Sequence, residues 1–492
     1  MANGNFLLEL ILNLDEITDY SSFCNFVSPQ IPNERKGIIE YRFNTEIINS
    51  NNYQQIIIES HSNILHIYYI PLPKLYTNKN PMLKAFVVIY KSNVIMKGLP
   101  ECLNISNRED IIEINSTDRA FAGINKEYKV VTWGDDNYGG NSENVNALLE
   151  NIDQIYSTNS AFAAINNEGK VITWGSPTGG GDSSTVKGNL MAGIKKIYST
   201  NSAFAAINNE GKVITWGNHD AGGDSSTVAG NLMERITKIY STDWAFAAIN
   251  NKGKVITWGN HDAGGDSSTV AGNLMERITE IYSTDQAFAA INNNGKVITW
   301  GNPTYGGDSS TVALDLMVRI KKIYSTNSAF AAINNEGKVI TWGDPYGGGD
   351  SSTVAIDLMV GIKEIYSTRA AFAAINNEGR VIIWGSLSRG GSGYDIGQLT
   401  NIKKIYSTYF GFTALTTDDN YITWGDYNFY VTIDSDGNVT RNEDDPMMVL
   451  LNERNIFKVY STNYACVAIT FDGRMIILGN DCGKRLLRRG LI

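Results

Sequence analysis

The chain has 492 residues, of which 42% are apolar and 19% charged, with a net charge of −10 and a pI near 5.1. This is the balance of a soluble globular protein, and its acidity excludes a general binder of phosphate backbones, which needs a basic face. Four scattered cysteines, Cys24, Cys102, Cys466 and Cys482, form no CxxC pair, which excludes a zinc or disulfide framework and points to a reducing compartment.

The chain begins with an apolar run from Phe6 to Leu14 that Glu9 interrupts and no basic region precedes. It is too short to cross a bilayer, and no later segment reaches about 18 uninterrupted apolar residues. The expectation is an intracellular protein, in the cytoplasm or nucleus, with no membrane association. From Phe6 to Val27 the spacing predicts two short helices, with Leu7, Leu10, Ile11 and Leu14 on one face and Ile17, Tyr20, Phe23 and Cys24 on another. Gly37–Phe43, Gln55–Ile58 and Ile64–Ile70 are β-branched and aromatic and read as strands, and Pro71 and Pro73 mark a boundary. Residues 1–80 are therefore read as a small α+β module that caps or attaches the rest. Within it, Glu9, Leu10, Leu14, Asp15, Asp19, Phe23 and Cys24 resemble an F-box, which implies docking on an adaptor of ubiquitin ligases. Plain amphipathic helices capping a repeat array account for the same residues.

Residues 81–480 repeat. Ala85–Gly98 follows the template with one residue deleted, and Trp-Gly pairs then recur at Trp133, Trp174, Trp216, Trp258, Trp300, Trp342, Trp384 and Trp424, with Leu478-Gly479 after them. A fixed period near 42 residues means stacked supersecondary units. In one copy, Ile197–Thr200 reads as a strand, Asn201-Ser202 as a turn, Ala203–Ile207 as a second strand, Asn208–Gly211 as a hairpin loop and Lys212–Trp216 as a third strand. A glycine-rich loop, 218–226, and a short apolar segment with Leu232 and Met233 lead to the next copy. The middle strand, Ala-Phe-Ala-Ala-Ile, is apolar on both faces, as a strand sandwiched between neighbouring sheets requires. Three or four strands per unit, radially arranged, make a β-propeller, with each Trp filling the gap to its neighbour.

The strand, the Asn209-Glu210-Gly211 turn, the strand ending Trp216-Gly217 and the Gly222-Gly223-Asp224 loop are similar to the repeat of the regulator of chromosome condensation (RCC1) family. The resemblance covers roughly residues 80–480 and implies an all-β, RCC1-like propeller of seven or more blades. The short period resembles the compact RCC1-like propeller of a secreted β-lactamase inhibitor protein, and both relatives close as seven blades. Ten units are present here if the Gly98 and Leu478 copies count, so either the outer units merge, the ring is larger, or the array is an open superhelix. Residues 426–452 enlarge one unit, with an extra hairpin over 430–439 around Asp436-Gly437.

No nucleophile elbow, P-loop or HExxH occurs, so the chain reads as non-enzymatic, with no cofactor and no metal. His219 and His261 are copies of one solvated loop position. Asp182, Asp224, Asp266, Asp308 and Asp350, one per Gly-Gly-Asp-Ser-Ser loop, read as turn caps rather than calcium ligands, because one carboxylate per blade does not converge on an ion. Where near-identical copies differ, they differ after Ser-Thr: Arg119, Trp244, Gln286, Arg369, Tyr409 with Phe410, and Tyr464. Trp, Tyr and Arg dominate binding hot spots, and these positions share one face of a propeller, so they are the candidate binding residues for a protein partner. Drift at an exposed turn is the competing reading. A second loop set, including Tyr138, His219, His261, Tyr305, Tyr346, Arg389 and Tyr427, is expected on another part of the rim. Residues 481–492 form a basic tail, Lys484–Arg489, which reads as a solvated terminus or a nuclear-localisation or nucleic-acid patch.

The leading function is a non-enzymatic scaffold that binds another protein through one loop face. The RCC1 resemblance implies nucleotide exchange on a small GTPase, and the F-box resemblance a ubiquitin-ligase substrate receptor. The Ile- and Asn-rich repeats resemble proteins of giant DNA viruses, which implies a structural or virion component.

Overall fold

In the computed structural model, residues 111–391, 399–417 and 421–425 are described, and outside them only strands, from Phe6–Ile11 at one end to Met475–Gly479 at the other. The chain divides into two compact units, residues 1–75 with 88–95, and residues 76–87 with 96–492.

The first unit holds a four-stranded sheet in the order Phe6–Ile11, Tyr53–His61, Ile64–Pro71, Glu40–Tyr41. The strands expected around Gln55 and Ile64 are present and form an antiparallel pair. The helix expected from Phe6 is not. Phe6–Ile11 is a strand, antiparallel to Tyr53–His61 with Leu8 opposite Ile58. A short apolar run suits either period, and the Ile56-Ile57-Ile58 edge offers it a ladder of backbone partners that a lone helical turn lacks. Of the F-box-like residues, Glu9 and Leu10 lie on this strand; Leu14, Asp15, Asp19, Phe23 and Cys24 lie outside the described residues, as does the basic tail.

The second unit is built of blades. Seven three-stranded antiparallel sheets follow one another, with first strands from Ile111–Ser116 to Ile362–Ser367. An eighth (Ile402–Ser407, Gly411–Thr416, Tyr421–Gly425) adds Leu450–Leu451 at its edge. A ninth sheet has five strands, because the extra hairpin, Phe429–Ile433 with Val439–Asn442, pairs onto Met475–Gly479. Where the degenerate copy was expected there are two strands, Phe86–Tyr90 and Asn93–Lys97, whose residues 88–90 and 93–95 count with the first unit. The fold is all-β, a propeller-type array of three-stranded blades that repeat every 42 residues or so.

Within a blade, Ile194–Ser199, Ala203–Asn208 and Val213–Gly217 pair in that order, with Phe204 opposite Trp216. The hairpin closes because Asn208 Oδ1 accepts from the amides of Glu210 and Lys212, and Gly211 takes φ +81°. The Phe204 and Trp216 rings stack at 5.2 Å, and an equivalent pair stacks in each of the first eight sheets.

Between blades the alternation of the middle strand does the packing. Ala203, Ala205 and Ile207 face the next blade and meet Leu232, Phe246 and Trp258, while Phe204 and Ala206 face the preceding blade and meet Ala161, Ala163 and Leu190. The alanines make room for a neighbour's aromatic pair, which is why this strand carries almost nothing large besides its Phe. Each joint is then locked by polar bonds. Trp258 Nε1 donates to the Gly222 carbonyl of the preceding blade's loop (3.0 Å), and six other blades repeat the bond. Among the described residues, Trp133, first in the series, has no partner for its Nε1. On the first strands, Ser199 Oγ donates to the Ser157 carbonyl and Ser241 Oγ to the Ser199 carbonyl, 2.8 Å each.

Candidate functional site

The turn after Ser-Thr is built the same way in the seven blades from Thr117 to Thr368. Thr200 Oγ1 accepts from the Ala203 amide and donates to the Ala221 carbonyl in the loop after Trp-Gly, and the Asn218 amide donates to the Ser202 carbonyl. The two loop sets are therefore laced together on one face. The expectation that the loops after Trp-Gly line a different part of the rim is corrected by these bonds, which pull each loop back over its own turn.

The first variable residue of each turn is also part of the scaffold. The Asn201 amide donates to Asp243 O, Asp243 to Asp285 O, Asp285 to Asn327 O and Asn327 to Arg369 O, each at 2.9 Å, and Arg369 donates to Tyr409 O at 3.3 Å. This backbone ladder threads successive blades, so only the side chains are free to differ.

The candidate residues then separate. Arg119 lies 3.7 Å from Asp135 and over the Tyr138 ring at 4.9 Å, within its own blade. Trp244 is 39% exposed. Gln286 accepts from Asn302 Nδ2 at 2.9 Å. Phe410 is 9% exposed, set edge-on to Tyr409 with the Arg389 guanidinium over its ring at 4.6 Å. Tyr464 and Tyr427 lie outside the described residues. Arg369 and Tyr409 come together: the guanidinium sits 5.5 Å from the tyrosine ring. Asn327 Nδ2 donates to the Tyr409 hydroxyl (3.0 Å) and to Asp285 Oδ2 (2.9 Å). Tyr409 thus reaches past one blade to the next, and Asp285, Asn327, Arg369 and Tyr409 form a chain across four consecutive blades.

Beside this chain is a concavity of about 360 Å³ lined by Asp285, Asn327, Arg369, Tyr305, Asp344 and Tyr346, among others. Tyr346 is 86% exposed at its mouth, and Asp344 accepts from Ser328 Oγ (3.0 Å) and from the Tyr346 amide. Asp285, Asn327 and Asp344 were not singled out from sequence. Their signal was the offset of the two loop sets: a turn residue and the residue 17 positions on, as in Asn327 and Asp344, return to one place in every blade.

The carboxylates here are crowded. Burial, and then the nearby Asp243 carboxylate, push Asp285 up to about 7, against the pull of Asn327 and Arg369; burial also raises Asp243. An Asp whose folded pKa is about 7 and whose unfolded value is near 3.8 binds more protons when folded between those limits, so stability falls as pH rises through that window and is flat above it. Melting measured from about pH 4 to pH 8 is expected to show Asp285→Asn gaining on the wild type as pH rises; parallel curves would show that Asp285 is not the group responsible.

The remaining loop residues behave as turn elements. Asp182, Asp224, Asp266, Asp308 and Asp350 each accept from the serine amide two positions on, as expected of turn caps. His219 contacts Asp220 and Asp224, and His261 contacts Asp262 and Asp266; hydrogen bonding to Asp220 and Asp262, then the charges of Asp224 and Asp266, raise the pKa of both rings. Among the described residues, no group of three or more His, Cys, Asp or Glu side chains is arranged to hold a metal ion. What the face offers is hydrogen-bond donors and acceptors, a cation stacked on a ring, and exposed aromatic edges.

No protein-family model matches the chain, and no curated protein sequence matches it. Among solved structures it is similar to human WBSCR16 (12% identity over 59% of this chain and 91% of that one, TM-score 0.33). It is also similar to Prp20p of Saccharomyces cerevisiae, whose description concerns binding to Gsp1p and histones (14%, 61% and 86%, TM-score 0.31), and to the designed protein Ika8 (10%, 67% and 96%, TM-score 0.27). Among the described residues no helix is long and apolar enough to cross a membrane.

Proposed function

We propose that the chain is a non-enzymatic repeat scaffold that binds a protein partner through the loop face, with residues 1–80 as a separate attachment or capping module. The observation that carries this reading is the concavity beside the Asp285–Asn327–Tyr409–Arg369 chain. Near-identical blades hold the backbone there constant while the side chains change, and the changes bring an arginine, tyrosines and carboxylates to one hollow. Trp244 adds an exposed ring on the same face. Arg, Tyr and Trp are the residues that dominate interface energetics: the two aromatics bury a large area with few rotatable bonds to freeze and keep a polar handle, and the planar guanidinium stacks on rings while donating several hydrogen bonds.

The triple variant Trp244→Ala, Arg369→Ala and Tyr409→Ala tests the reading against proteins that co-purify with the full chain, identified by mass spectrometry. A hot-spot side chain is worth about 2 kcal/mol or more, roughly 30-fold in affinity, so the triple change is expected to remove the partner. Capture of the same partner at undiminished yield by the folded triple variant would place the interaction elsewhere.

A further inference from the structure

A charged hollow at the other ends of the first strands takes no part in the loop-face reading. Each first strand begins with a bulge beside its blade's hairpin: Ile194 pairs with Asn208 and Lys196 with Ile207, which leaves Lys195 as the extra residue. Ile236, Thr237 and Lys238 repeat the arrangement in the next blade. A bulge re-aims the side chains beside it, and here Lys195, Lys196, Arg235 and Lys238 all stand exposed at one joint. They border a concavity of about 440 Å³ with Tyr198 and Asn209, and among the described residues no carboxylate lines it. The Arg235 stem is held against the hairpin, since a Cβ on Gly211 would lie 3.0 Å from Arg235 Cγ, and the Ile236 amide donates to Gly211 O at 2.8 Å.

This joint is unlike the others. From Ile111–Ser116 to Ile402–Ser407, every other pair of adjacent first strands brings an acid to the bulge: Glu113, Asp153, Glu280 or Glu364. The hollow one joint back, of about 240 Å³, is lined by Asp153 and Glu168. Lys195 borders both hollows and, like Arg235, forms no ion pair among the described residues. Lys196 Nζ sits 4.9 Å over the Tyr198 ring, a contact that leaves its charge in place. The acids closest in sequence are engaged elsewhere, Glu210 with Lys212 at 2.8 Å and Glu234 with the Asn250 side-chain amide. Glu280 neutralises only Lys238, at 2.9 Å. Three uncompensated cations from two blades therefore share one hollow in a chain of net charge −10.

We propose that this hollow binds a phosphorylated small molecule, its phosphates held between Lys195 and Lys196 of one blade and Arg235 of the next. Charge and shape choose the class. A phosphoryl group carries about 1.5–2 negative charges and presents three acceptor oxygens, so cations approaching from two blades grip it at once. A carboxylate offers two oxygens in one plane. The guanidinium fork matches adjacent phosphate oxygens, and the lysines act as adjustable point charges. A volume of about 440 Å³ lies in the range of small-molecule sites. The basic surface is confined to this joint, with Asp153 and Glu168 on one side and Glu280 on the other, so it does not track the phosphates of a nucleic acid.

Isothermal titration calorimetry of the full chain at low ionic strength, with inorganic pyrophosphate as the probe, tests this. The wild type is expected to bind. Lys196→Gln with Arg235→Gln keeps most of the side-chain bulk, removes two charges, and is expected to weaken binding on the order of 100-fold. Both residues are exposed, and another copy holds Glu364 and Gly361 in their places, so the blades stay folded, which far-ultraviolet circular dichroism checks. Lys322→Gln is the control. Its Nζ also lies over a tyrosine, Tyr324, at 4.5 Å, but the next blade presents Gly361 and Glu364, and binding is expected to be unchanged. Adenosine diphosphate that binds more tightly than pyrophosphate assigns the site to a nucleotide, and equal or weaker binding to a phosphate compound without a base; either result supports the proposal. Absence of pyrophosphate binding overturns it, as does binding that survives the double variant, an equal loss in Lys322→Gln, or citrate bound as tightly as pyrophosphate. None of these residues lies on the loop face, so this proposal and the loop-face reading fail separately.

Discussion

Trp258→Ala is expected to destabilise the protein by about 3–5 kcal/mol, the range for removing a buried large aromatic side chain from a packed core. Trp258 is 3% exposed, stacks on Phe246 at 5.1 Å and packs with Ala203, Ala205 and Ile207 of the preceding blade. Its loss opens a cavity at a joint and leaves the Gly222 carbonyl without its indole donor. Because each blade touches its sequence neighbours, the damage is local. Hydrogen exchange should show protection lost in Ala203–Asn208 and Ala245–Asn250 and retained in Ala371–Asn376. Uniform loss across all the middle strands would mean that the blades unfold as one cooperative unit instead.

Gly222→Ala is expected to be nearly as damaging although it adds only a methyl group. Gly222 has φ +95°, and a Cβ there would lie 2.6 Å from the Phe246 ring. The left-handed backbone costs about 1–2 kcal/mol for an alanine, and forcing the ring aside adds roughly 1–3 kcal/mol. The same residue supplies the carbonyl that receives Trp258 Nε1, so the double variant Gly222→Ala with Trp258→Ala is expected to cost less than the sum of the two, because both break one joint. Gly230→Ala is the control: nothing lies within 4 Å of its would-be Cβ and it sits in a helical turn, Ala229–Leu232, where alanine is favoured by about 0.5–1 kcal/mol. Denaturant unfolding measures all three. Equal effects at Gly222 and Gly230 would remove the argument from the Phe246 contact.

This joint also shows how much of the molecule was legible beforehand. The Trp-Gly spacing, the apolar middle strand and the Asn-Glu-Gly turn located the three repeated strands of each blade to within a few residues, because a repeat states its own boundaries many times; the edge strand Leu450–Leu451 was not among them. The hairpin around Asp436-Gly437 was legible for the same kind of reason, a turn with a known backbone requirement. Phe6–Ile11 was not. Its apolar spacing fits a helix and a strand alike, and the choice fell to Tyr53–His61, more than 40 residues away in sequence.

The candidate site divides along the same line. Variation among otherwise constant copies pointed to Arg119, Trp244, Gln286, Arg369, Tyr409 and Phe410, and the face on which they lie follows from their common place after the first strand. Their differing fates do not follow. Phe410 is buried beneath Arg389, Gln286 is engaged by Asn302, and Arg369 meets Tyr409, because each outcome depends on what the adjacent blade presents. Asp285 and Asn327 looked like ordinary turn residues, yet the backbone ladder brings Asn327 within reach of a tyrosine two blades away and Asp285 within reach of Asn327.

By itself, then, the sequence determined the blade: its period, its three strands, the glycine that closes its hairpin and the tryptophan that seals its joint, all of which rest on interactions within one repeat and the next. Only the tertiary structure decided what the repeats make together. Stacking translates each copy by one blade, so side chains that are 42 or 82 residues apart become neighbours. The hollow at Asp285 and Tyr346 and the basic hollow at Lys196 and Arg235 both arise from that translation, since single substitutions in a repeat become adjacent only when the repeats are packed side by side.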